Sequence, residues 1–117
     1  MSTWDVEIFA EDDNIDFLEE LNELDDDEIT EAVRDACLLA LKQSHVSDTE
    51  RLNGLAAATI AAIWAGAPFS AGDVADSYPF IRRLIGAGDE ALNESAAELL
   101  ETVDSDDDID AFTEALS

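Results

Sequence analysis

Residues 52–72, "LNGLAAATIAAIWAGAPFSAG", contain no charged side chain although 30% of the chain is charged, and the reading of this stretch decides the fold. A segment of this kind either crosses a bilayer or lies at the centre of a globule. Insertion needs about 20 predominantly apolar residues and is driven by Leu, Ile, Phe and Val rather than Ala and Gly. Here Ala and Gly predominate, and Pro68 interrupts the run. Apolar almost all round, the segment reads as a buried central helix, and no membrane association is expected. Ser47 and Glu50 stand three positions apart just upstream as a capping box, while Gly66 and Pro68 mark the end.

Amphipathic segments flank this helix on both sides. Between Asp13 and Leu24, Phe17, Leu18, Leu21 and Leu24 recur at helical spacing, with Asp12 or Asp13 as the expected cap. The turn "DDDE" at 25–28 opens a second helix to about Ser44, with Ile29, Val33, Ala36, Cys37, Ala40 and Leu41 on one face. Acids in that first turn suit the helix dipole. Downstream, "PFIRRLI" at 79–85 begins with a Pro fit for a first helical turn. A further helix over 89–103 turns Leu92, Ala96, Leu99, Leu100 and Val103 inward, and "DIDAFTEAL" at 108–116 suits a short last one. Ahead of them all, the alternation of Trp4, Val6 and Ile8 predicts a short extended arm over residues 1–12.

No strand-length alternation competes elsewhere. The expectation is an all-α, compact orthogonal bundle of about five or six short helices around the Ala-rich one. With 117 residues and 47% hydrophobic content, the chain reads as a single helical domain over 1–117, its tail at 105–117 loosely attached. Cys37 is the one cysteine, so no intrachain disulfide forms, and its apolar setting predicts a buried, inert thiol. A reducing cytoplasm fits, and nothing at the N-terminus suggests secretion.

Charge is the unusual property. Thirty acids face five Lys and Arg, for a net charge of −25. Residues 1–37 carry −14, residues 38–88 are neutral and residues 89–117 carry −11, so ends that folded together would make one anionic surface. Direct nucleic-acid binding needs a basic patch, and the Arg82–Arg83 pair is better matched to the chain's own carboxylates.

Catalytic signals are weak. His45, the single histidine, falls near the end of the second helix, where the dipole favours it without any catalytic role. Carboxylate pairs are too abundant here to indicate acid–base chemistry, which requires environments that separate their pKa values. Asp12, Asn14, Asp16 and Glu23 fall at positions 1, 3, 5 and 12 of an EF-hand count, but Phe17 stands where the turn glycine is required. The tail "DSDDDID" at 104–110 fails in the same way, with Ile109 at the glycine position and Ala115 where the bidentate Glu belongs. No catalytic residue, metal site or cofactor is expected.

The opening also carries a resemblance. Trp4, Phe9, Asp12, Asp13, Asp16 and Phe17 match in order a pattern like M-G-x-W-G-x-G-x-F-x-x-D-D-x-x-D-F. In this the chain resembles the small bacterial proteins grouped as domain of unknown function 4259. "GLAAATIAAIWAG" at 54–66 is similar to that family's Ala-rich middle helix. The resemblance implies a small helical domain and no particular activity. Ser2, Asp5 and Glu7 stand where the family usually has Gly, so Asp5, Glu7 and the DDDE turn read as negative charge laid over the family pattern.

Glu90, Glu94 and Glu98 stand four apart with no Lys among them, and each like-charge pair costs about 0.2–0.5 kcal/mol on a helix. Stability alone does not account for such a face. The sequence therefore points to a non-enzymatic acidic protein that engages a basic protein surface, as an inhibitor, an immunity-type protein or a nucleic-acid mimic. Asp16, Glu19, Glu20, Glu23, Glu90, Glu94, Glu98 and Glu101 are the carboxylates that helical phase turns away from their own cores. A helical domain whose acidity serves solubility or salt adaptation is the alternative, with a small hydrolase or metal-binding protein as a remoter one.

Overall fold

The computed structural model describes residues 4–42, 47–67, 72–103 and 109–116. Among these residues the chain forms helices and no strand: α1 (Trp4–Phe9), α2 (Asp12–Asn22), α3 (Asp26–Lys42), α4 (Asp48–Trp64), α5 (Gly72–Ser77), α6 (Phe80–Arg83), α7 (Glu90–Glu101) and α8 (Ile109–Leu116).

The uncharged segment is the centre. In α4 every residue from Gly54 to Trp64 is buried, and α1, α2, α3, α6, α7 and α8 all pack on it. Both ends of the helix are closed by specific chemistry. The Ser47 hydroxyl accepts from the Glu50 amide at 3.1 Å while the Glu50 carboxylate accepts from the Ser47 amide, the reciprocal cap expected for S-x-x-E. At the other end Gly66 takes a φ of 108°, and the amides of Gly66 and Ala67 return to the carbonyls of Ile63 and Ala62. This glycine termination satisfies carbonyls that the helix would otherwise leave open. The stop expected at Pro68 lies outside the described residues.

Around α4 the amphipathic helices bury their apolar stripes. Ile29, Val33 and Cys37 of α3 and Leu92, Ala96, Leu99 and Leu100 of α7 are at most 2% exposed. Asp89 caps α7 by accepting from the Leu92 amide at 2.9 Å. Ile109, Phe112 and Leu116 of α8 are buried against the same core, so the tail helix packs closely on α7 and α4. The Cα radius of gyration is 12.5 Å, against about 13 Å expected for a compact domain of this size.

Among the described residues the extended arm does not form. Trp4–Phe9 is helical, because Asp5, Ile8 and Phe9 share one buried side of a single turn, and the indole of Trp4 donates to the Thr59 hydroxyl of α4 at 2.9 Å. Tertiary contact with α4 overrides an alternation too short to distinguish the two periods. A second correction concerns the start of α2. Glu11 occupies the capping position in extended backbone with no side-chain bond, while Asp12 and Asp13 lie in the first turn, where they face the helix dipole. The helix starts earlier than its apolar stripe does. A third concerns α5, which sequence periodicity does not show. The second helix is described as far as Lys42, and His45 lies outside the described residues.

Candidate functional site

The acidic faces of α2 and α7 follow from helical phase. In α2, Asn14, Phe17, Leu18 and Leu21 turn to the core, which leaves Asp16, Glu19, Glu20 and the terminal Glu23 exposed. In α7 the buried stripe likewise leaves Glu90, Glu94, Glu98 and Glu101 in solvent. None of the eight forms an ion pair among the described residues. The two helices share α3 and α4 as neighbours without forming a helix pair with each other, so the acids are two faces around one core.

The arginines are engaged elsewhere. Arg34 of α3 pairs with Asp89, Arg82 with Asp76 at 2.8 Å, and Arg83 with Asp26 at 2.7 Å. Each pair is about half exposed and contributes about 0.2–1 kcal/mol, but two of them tie segments far apart in sequence. Arg51 has no ion pair among the described residues.

Titration and ligation are constrained by the same geometry. Burial pushes the Cys37 thiol up to about 12, which makes it inert rather than nucleophilic. Burial, then the charges of Glu19 and Asp16, raise the Tyr78 hydroxyl above its ordinary value. The residues of the calcium-like count at 12–23 lie on a continuous helix, with Asn14 buried and Asp12 and Asp16 exposed, so they do not converge on one ion. Among the described residues no three of His, Cys, Asp and Glu are placed to hold a metal.

The recurrent opening residues prove to be architectural in their contacts. Phe9 and Phe17 enter the core, half-buried Trp4 binds Thr59, and the Asp13 carboxylate accepts from the Thr49 hydroxyl at 3.0 Å, fastening α2 to the start of α4. Asp12 and Asp16 remain exposed. A family model described as Domain of unknown function (DUF4259) matches residues 2–116. The chain belongs to this family. No curated protein and no solved structure matches it.

Within this DUF4259 domain two polar residues escape the sequence reading. Asp5 is 1% exposed, so it is part of the α1 packing rather than surface charge added to the family pattern. Treated as a helical turn, the spacing of Asp5 and Phe9 would have shown it. Asn14 is fully buried and donates to the Ile8 carbonyl at 2.7 Å, closing the corner between α1 and α2. Its phase with Phe17, Leu18 and Leu21 was the available signal. No described helix is long and apolar enough to cross a membrane.

Proposed function

We propose that this DUF4259 domain acts in the cytoplasm without catalysis, by presenting its α2 and α7 carboxylates to a basic protein surface in an inhibitory, immunity-type or nucleic-acid-mimicking role. The observation that carries this reading is that, among the described residues, none of the eight exposed carboxylates forms an ion pair, while Arg34, Arg82 and Arg83 neutralise other acids. Unpaired charge of one sign steers a complementary partner and rejects like-charged ones. Burial on binding would then supply what folding does not.

A second reading is favoured by the spread of charge. Exposed Asp27, Glu28, Glu31 and Asp35 extend the acidity along α3, beyond the two faces. Charge distributed in this way serves solubility or tolerance of high salt without any partner.

Capture from native extract separates the two. The unmodified protein is compared with a variant carrying Asn or Gln at the eight positions, at low and moderate salt. Retention of defined basic proteins that falls with salt and with neutralisation supports the binding role. Identical retention by both proteins rejects it in favour of the solubility reading.

A further inference from the structure

Between α1, the start of α4 and the end of α7 lies an open groove of about 560 Å³. Its floor is apolar, formed by Trp4, Ile8, Leu52, Leu55 and Val103. Ile8 and Leu55 are buried, while Trp4, Leu52 and Val103 keep part of their surface open. The indole is not free to collapse into the groove, because its N–H is held by the Thr59 hydroxyl, which itself donates to the Leu55 carbonyl at 2.8 Å. Trp is among the residues enriched at the few positions that carry most of an interface's binding energy, and Trp4 sits partly open on an apolar floor.

Exposed Glu7, Glu11 and Arg51 also line the groove. We propose that it is the docking site for a basic amphipathic segment of a partner protein, whose apolar side chains cover the floor while its Lys and Arg meet Glu7 and Glu11. This rests on the basic-partner reading above and locates it. Charge selects the occupant. A second copy would bring another −25 against the first, and an anionic amphiphile drawn to Arg51 would meet two carboxylates and the same overall field. Arg51 disfavours a cation at its own position and so sets the direction in which the segment lies. Glu101 precedes Thr102, another lining residue, and brings the α7 face to the edge of the groove.

Fluorescence anisotropy tests this with three labelled helical peptides, each about four turns long. One combines Leu with Lys, one replaces Leu by Ser, and one replaces Lys by Glu. The Leu/Lys peptide is expected to bind most tightly. Leu52→Ser and Val103→Ser, checked for folding by circular dichroism, are each expected to weaken it by about tenfold. The exposed pair Glu7→Gln and Glu11→Gln should weaken it more than Glu90→Gln with Glu94→Gln.

Equal binding of the Ser/Lys peptide, or full binding by the folded groove variants, overturns the groove. If that binding still falls on neutralising α2 and α7, the acidic-face reading stands without it. Equal binding of the Leu/Glu peptide also overturns the proposal, because apolar adhesion would then suffice. Failure of both cationic peptides to bind removes the groove, and the capture experiment alone then decides the broader reading.

Discussion

Gly54 meets the closest neighbours of the five glycines. It stands inside α4, where Ala would ordinarily be preferred by about 1 kcal/mol. A Cβ at this position would lie 2.5 Å from the Ala40 Cβ and 3.2 Å from the Ala36 carbonyl oxygen. Neither neighbour is the far end of a flexible chain, so α3 and α4 would have to separate. Gly54→Ala is therefore expected to destabilise by about 1–3 kcal/mol despite its better helix propensity. Urea denaturation would show a lowered midpoint, partly recovered when Ala40→Gly is added. A midpoint equal to the parent's would mean that the two helices part at little cost. A Gly within an Ala-rich run was visible in the sequence, but its reason was not, because Ala40 belongs to another helix. The Trp4–Thr59 bond, which joins residues 55 apart, was unreadable on the same grounds. Cys37, by contrast, was legible, because its neighbours at helical spacing are apolar.

At the scale of elements, legibility tracked length and capping chemistry. The S-x-x-E box of α4 and the apolar stripes of α2, α3 and α7 each carry a local signal, and each helix formed where that signal lay. α1 and α5 have six residues each, too few for a period to show, and packing supplies what propensity does not. The same surface logic makes α7 a place to measure what acidity costs. Glu94 has like-charged neighbours at Glu90 and Glu98, one turn to either side. Glu94→Lys would replace two repulsive pairs with two attractive ones, including the favourable order of Glu before Lys. With each pair at about 0.2–0.5 kcal/mol, stabilisation of about 1 kcal/mol is expected, read as a raised melting temperature. An unchanged or lower value would show that the α7 face is not strained by its own charge. If the face binds a basic partner, the same substitution should weaken capture while strengthening the fold.

For the whole molecule, the decisive quantity is the net charge of −25 on a globule about 30 Å across. At about 0.01 M ionic strength the screening length is about 30 Å, so each carboxylate feels nearly all the others; at about 0.15 M it falls to about 8 Å. Salt also weakens the surface ion pairs Arg34–Asp89, Arg82–Asp76 and Arg83–Asp26, each contributing about 0.2–1 kcal/mol. That loss is small beside relief of repulsion among so many uncompensated acids. Added sodium chloride is therefore expected to raise the melting temperature by several degrees between these ionic strengths, since about 1 kcal/mol corresponds to about 4–8 °C in a domain near this size. The variant neutralised at the eight α2 and α7 positions should melt higher in low salt and respond less to added salt. An equal response in both proteins would place the repulsion elsewhere, in the acids of α3 or nearer the ends of the chain. A melting temperature that falls with salt would mean that the three ion pairs outweigh the repulsion, and that the fold tolerates its acidity without help from solution or partner.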